Sequence, residues 1–300
     1  MTHPLAQFEP LFTHGVTDLA ISGAGHARVR IDSRWLPVER LFESDQHLRD
    51  WCVDVFESVG VGLNYKNPLG SIGLRGYRVH AALSFGVASN THVTIRRLGE
   101  SDARALFAVG SVSASRLAAL SHELLAGKSV LIAGAAGSGK TTLLRALLQQ
   151  LVEFRVITLE DTAELLLTGE NVVSLVCREA NQEGAGAVDL SRLLSEALRM
   201  SPDRIAVGEV RGAELVPMLE ALNTGHQGGG ATIHANSLTD LAARLEALGL
   251  RAGLTAEQLA RQVESAFAYA VFVSRSHEFE IAEVARPRLV DKRLEFRRVT

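Results

Sequence analysis

Residues 128–142 read KSVLIAGAAGSGKTT, a short apolar run followed by Gly-x-x-x-x-Gly-Lys-Thr over 134–141. A helix-like run, LLRALLQQLV, follows at once. Strand, glycine loop and helix in that order is the context in which this spacing means a nucleoside triphosphate. Gly134, Gly137 and Gly139 let the backbone turn tightly enough to aim N–H groups at phosphate oxygens. Ala135, Ala136, Ser138 and Thr142 complete the cradle, and the helix starting near Lys140 points its positive end into it. Lys140 reaches the β- and γ-phosphates, and Thr141 offers a hydroxyl to Mg²⁺.

Other candidates stand just after predicted strands, where ligands bind in an open α/β sheet. Glu160 and Asp161 follow the run 155–159, Gly208 and Glu209 follow 205–207, and His234 ends 231–234. If these strands are neighbours, the phosphate cradle, two acidic clusters and one imidazole share one crevice. Many P-loop ATPases hold Mg²⁺ with an acid after such a strand. Here Gly208 takes the usual Asp position and leaves Glu209 alone. One carboxylate cannot easily serve both metal and attacking water, so Glu209 is assigned to orienting or deprotonating water. Glu160 or Asp161 then holds Mg²⁺, directly or through its waters. His234 could be structural, or could sense the γ-phosphate. Arg96 and Arg97, in HVTIRRL, could clamp a phosphate from a second domain. Arg199, Arg204 and Arg211 flank the Glu209 strand, and spacing does not pick among them as an arginine finger.

Positioning these residues takes two domains, and 300 residues accommodate them. Residues 1–100 alternate short strand-like pieces with one helical segment, HLRDWCVDVFESVG, whose Leu48, Trp51, Cys52, Val55 and Phe56 share a face. That is an α+β unit. Residues 101–113 lack periodicity and are read as a linker. Residues 114–300 alternate strand and helix, with Ser113 as the expected cap of a helix to Leu125. The expected strands are 129–133, 155–159, 172–176, 205–207 and 231–234; helices at 190–199, 213–223, 239–247 and 255–266 separate several of them. The segments YAVFVSR and FEIAEVAR close the unit as a hairpin. The pattern argues for a mostly parallel sheet with helices on both faces. No apolar run reaches the roughly 20 residues needed to span a bilayer, and no secretory signal is visible. Cys52 and Cys177 stand apart from any metal-ligand spacing and read as free thiols of a reducing compartment. A net charge of -3, with 5% aromatics, argues against a nucleic-acid groove. The basic tail 285–300 is read as solvated surface, with contact to an anionic membrane face or an acidic partner as the alternative.

Four segments together carry a family signature: GAAGSGKTT, VITLEDTAEL, ALRMSPDRIAVGEVRGAEL and ALNTGHQGGGATIHANS. They resemble the Walker A, Asp, Walker B and His boxes of the bacterial type II and type IV secretion ATPases. EGAGAVDLSRLLSEALRM and LNTGHQGG point to the tight-adherence (CpaF-like) and conjugal-transfer-associated branch. VTDLAISG and HVTIRRL are similar to that branch's N-terminal domain. The resemblance implies a RecA-like P-loop ATPase domain preceded by a smaller, PAS-like α+β domain, with ATP and Mg²⁺ between them and Arg96 and Arg97 reaching the nucleotide. It further implies a homohexamer that is cytoplasmic and peripheral at the inner face of the cell membrane. There it would push or rotate an integral-membrane platform protein to assemble a tight-adherence or type IV-like pilus, or to move secreted protein. No stable nucleic-acid partner is expected. The chain starts close to the first expected N-domain element, whereas longer members carry helical material before it. The segment NPLGSIGLRGYRVHAALS lacks expected acidic positions, and the four-cysteine zinc insertion of some relatives is missing. A DNA-translocating ATPase and a nucleotide-gated scaffold with little turnover are the competing readings.

Overall fold

The computed structural model describes residues 3–13, 15–23, 25–31, 34–98, 112–151, 153–179, 185–275 and 279–299. Residues 101–111 of the expected linker lie outside these. The chain divides into two compact units, Met1–Glu100 with Arg178–Val188, and Ser101–Cys177 with Asp189–Thr300.

In the first unit a 3-10 helix, Ala6–Leu11, precedes strands β1 (Val16–Ser22), β2 (His26–Ile31) and β3 (Arg34–Val38), helix α1 (Asp45–Glu57), and strands β4 (Leu69–Leu74), β5 (Tyr77–Ala82) and β6 (His92–Arg97). The strands form one antiparallel sheet in the order β3-β2-β1-β6-β5-β4. Ser44 caps α1 by accepting the amide of His47. The helix buries Leu48, Cys52, Val55 and Phe56 in a core with Leu19, Ile21, Val79 and Ile95 from the sheet and Leu5, Phe8 and Phe12 from the N-terminal segment. Trp51, expected on the same face, packs at its rim. β3 and β4 were not legible. No residue of β3 is fully buried, so it shows no apolar alternation. Gly70 and Gly73 dilute the pattern of β4.

The second unit runs α2 (Val112–Leu125), β7 (Val130–Gly134), α3 (Lys140–Leu148), β8 (Val156–Glu160), β9 (Val172–Val176), α4 (Leu190–Leu198), β10 (Arg204–Val207), α5 (Leu215–Asn223), β11 (Gly230–His234), α6 (Leu238–Arg251), α7 (Ala256–Ala266), β12 (Tyr269–Arg275), β13 (Phe279–Val290) and β14 (Arg293–Arg298). Its sheet order is β14-β13-β12-β7-β11-β10-β8-β9. The strands from β12 to β9 in that order are parallel, and β13 and β14 are added antiparallel. Every residue of β7 and β8 is buried, as strands covered on both faces require. α3 packs on β7 and β11, and α7 and α6 pack on β14.

Two local readings change. Ser113 does not cap α2: the helix already includes Val112, and the Ser113 hydroxyl accepts the Ile281 amide at 3.1 Å, tying α2 to β13. The closing hairpin gains a third strand: Arg293 to Arg298 of the basic tail form β14, and its arginines remain exposed as expected. Its charges hid the strand because only Leu294 among them is buried. The thiols of Cys52 and Cys177 are both free, and burial pushes Cys52 up to about 12.

Candidate functional site

Strand register assembles the site. His234 at the end of β11 pairs with Gly134 at the end of β7. Val207 of β10 pairs with Ala231 of β11 on one side and Leu159 of β8 on the other. With neighbouring strands about 4.8 Å apart, the glycine loop, His234, Gly208–Glu209 and Glu160–Asp161 leave four adjacent strand ends across about 15 Å. The strands that carry these residues are therefore neighbours, the condition on which a shared crevice depends.

Gly139 sits at φ +94°, immediately before the first residue of α3. A Cβ there would meet the Phe279 ring at 2.5 Å, so both conformation and space demand glycine. No side chain caps α3, which leaves its first-turn N–H groups for an anion. The buried Lys140 turns back, and its Nζ donates to the Ala135 carbonyl at 2.9 Å. Burial pulls its pKa down, opposed by the charges of Glu209 and Glu164. Ser138 Oγ is buried with no hydrogen-bond partner among the described residues.

Gly208 explains the missing Asp. A Cβ at 208 would lie 2.8 Å from Cγ of Glu160 and 3.2 Å from its Oε1. The Glu160 carboxylate thus occupies the room that a side chain at 208 would need. Glu160 is 2% exposed. Its Oε1 accepts the amides of Glu164 at 3.0 Å and Leu165 at 2.9 Å, while Oε2 is buried with no partner among the described residues. Burial pushes this carboxyl up to about 7 against the pull of the two amides, and the Glu164 charge adds to the rise.

Arg211 joins the other two acids. Its Nη1 donates to Asp161 Oδ2 at 2.9 Å, and its Nε and Nη2 donate to Glu209 Oε2 at 3.0 and 2.5 Å. Burial works against its charge, but Glu209, Asp161 and Glu164 outweigh it and raise its pKa. Cys177 Sγ lies 3.5 Å from Asp161 Oδ1. Thr141 is half-buried on the first turn of α3. His234 is half-exposed, and no hydrogen bond engages its ring among the described residues. In the first unit, Arg96 Nε donates to the buried Asp18 at 2.7 Å, and Arg97 Nη1 donates to the Phe12 carbonyl at 3.0 Å. Arg199 pairs with Glu196 at the end of α4, and Arg204 stacks over Phe154, 4.1 Å from its ring centroid.

A metal fits this donor set. Two cations, Lys140 and Arg211, feel Glu209 and Glu164, and Arg211 also feels Asp161. Carboxylates outnumber cations there. Among the described residues, however, no three His, Cys, Asp or Glu side chains converge on one metal position. That pattern suits Mg²⁺, which takes one or two carboxylates and fills its shell with phosphate oxygens and water. The unpartnered Glu160 Oε2 and Ser138 Oγ are available to a hydrated cation and to a phosphate.

The profile of the family described as Type II/IV secretion system protein matches residues 78–273, well over half of the chain. The chain belongs to that family. Among its relatives, a protein of Mycobacterium tuberculosis named as a conjugal transfer protein is 40% identical over 234 residues, 76% of this chain and 66% of its own length. The conjugal transfer protein TrbB of Rhizobium radiobacter is 42% identical over 139 residues, 45% of this chain and 40% of its own length. The chain thus spans less than two thirds of these relatives. The fold is shared with the pilus retraction motor PilT solved with bound ADP, at a TM-score of 0.64 and 19% identity, covering 100% of this chain and 84% of that one. It is also shared with the ATPase DotB of Legionella pneumophila, at 0.61 and 21%, covering 98% and 78%. The resemblance read from the four boxes and the expected α/β architecture, a RecA-like domain preceded by a smaller α+β domain, both stand.

For this secretion-family chain, sequence reasoning passed over Glu164, whose charge reaches Lys140, Arg211 and Glu160. The signal was present in EDTAEL, where acids recur at 160, 161 and 164. It also passed over the buried Glu214, which accepts the amides of Arg211 and Gly212.

Proposed function

We propose that this secretion-family protein binds ATP with Mg²⁺ and hydrolyses it. The observation that carries the reading is the register of β7, β11, β10 and β8, which puts the glycine loop and Glu209 at neighbouring strand ends. The loop amides 134–142 and the α3 N-terminus bind the phosphates. Lys140 exchanges its Ala135 contact for a phosphate oxygen. Glu209 orients the attacking water and accepts its proton. Thr141, Asp161 and Glu160 would hold Mg²⁺, which would supply positive charge to the triphosphate and the leaving group. His234, beside Gly134, reads the state of the terminal phosphate.

Of the two N-terminal arginines we assign nucleotide binding to Arg97, whose bond among the described residues goes to a neutral carbonyl. Arg96 neutralises the buried Asp18. Arg97→Ala is expected to raise the KM for ATP, and Arg96→Ala to lower the stability of the first unit instead.

The assembly we favour is a hexameric motor acting on a membrane platform protein in pilus assembly or protein secretion. The names of the relatives give weight to a conjugal-transfer role as well. Single-stranded DNA that stimulates turnover in a salt-dependent way would favour the latter. Among the described residues no helix is long and apolar enough to cross a membrane. The primary test is turnover of Lys140→Ala and Glu209→Gln. The first should lose nucleotide binding and activity. The second should keep binding and lose at least a hundredfold in kcat. Wild-type turnover by both variants would remove the reading.

A further inference from the structure

Arg211 is engaged at both ends by the acids assigned to metal and water. We propose that Arg211 is a positioning residue: it brackets Glu209 and Asp161, and Mg²⁺ competes with it for Asp161. The proposal rests on the ATPase reading above and deepens it.

The geometry is that of a bracket. One guanidinium spans carboxylates from two different strand ends, Asp161 after β8 and Glu209 after β10. Both bonds to Glu209 fall on Oε2, so Oε1 stays clear of the guanidinium. A planar five-donor fork can do this, and a lysine ammonium cannot hold both acids in the same fixed orientation. The bracket is itself anchored. Glu214 Oε1 accepts the backbone amides of both Arg211 and Gly212, fixing where the side chain starts. Asp161 and Glu209 would repel each other without a cation between them, and Arg211 supplies that cation when no metal is present.

Two consequences of opposite sign follow. A metal that takes Asp161 must displace the Nη1 bond, so Arg211 weakens apparent Mg²⁺ affinity. Glu209, held through Oε2, keeps Oε1 aimed for water, so Arg211 raises turnover. Loss of a merely structural residue would worsen both quantities together.

The test uses the full chain. Fluorescent ATP-analogue binding is titrated with Mg²⁺ for wild type, Arg211→Ala and Arg211→Lys, with single-turnover hydrolysis measured on the same samples. For Arg211→Ala the half-saturating Mg²⁺ concentration should fall at least threefold while the single-turnover rate falls at least tenfold. Arg211→Lys should return the Mg²⁺ midpoint toward wild type and leave the rate low, because charge is restored and the fork is not. Thermal melts verify that each variant folds. An unchanged or raised Mg²⁺ midpoint in folded Arg211→Ala overturns the bracket while leaving the ATPase reading standing. If folded Arg211→Ala does not form, the Lys variant decides alone: wild-type rate with a wild-type midpoint overturns the proposal. Wild-type protein that binds the analogue without any Mg²⁺ dependence overturns the ATPase reading and the bracket with it.

Discussion

A carboxyl buried beside a glycine sets the chemistry at residue scale. Folded Glu160 keeps its proton up to about pH 7, against about 4.5 for an ordinary glutamate. The native chain therefore binds more protons than the unfolded chain across that window. Its stability should fall as pH rises from about 4.5 to 7 and level off above, by about 3 kcal/mol in total. Glu160→Gln keeps an acceptor for the two amides and removes the titration. Melting curves between pH 4.5 and 8 should show a flatter profile for the variant and a higher Tm at pH 8, and a slope identical to wild type would count against this. Gly208→Ala forces a Cβ against Glu160 and should cost about 1–3 kcal/mol, measured by denaturant midpoint. The glycine loop and Glu209 were readable because backbone N–H donors and a lone acid after a strand follow local spacing. The Glu160–Gly208 exchange of space and the Arg211 bracket were not. They join residues about fifty positions apart, and only the β8–β10 pairing brings those together.

Elements follow the same division between local and tertiary signals. Thr255 and Gln258 form the reciprocal cap of α7, as the Thr-x-x-Gln spacing predicts. Thr255→Ala should lower stability by about 1 kcal/mol. β9 and the strands around the site were legible from apolar runs, while β3, β4 and β14 were not, since their places are set by partners rather than by burial. The turn joining β13 and β14 has Asp291 at φ +47° and Lys292 at φ +65°. Two successive positive angles make a turn that favours Asp-Gly. Lys292→Gly should therefore stabilise the hairpin by about 0.5–1 kcal/mol, read as a raised Tm. A fall in Tm would show that Lys292 makes a contact worth more than the backbone strain.

Among the described residues each of the two units buries hydrophobic side chains of its own. Calorimetry is expected to resolve two unfolding events. Saturating Mg²⁺ and ADP at a hundred times Kd should raise the second unit's event by about 2.7 kcal/mol. A matching rise in the first event requires a nucleotide contact from Arg97 or its neighbours, and Arg97→Ala should erase that rise alone.

Strand β14 ends the larger sheet, and its sequence is RLEFRR. Arg293, Arg297 and Arg298 stand exposed along that rim. If two copies met there strand to strand, arginine would face arginine across the new pair. The rim thus refuses its own kind. Edge-to-edge fusion of two such sheets is thereby disfavoured, while the other faces of the molecule stay open to contact.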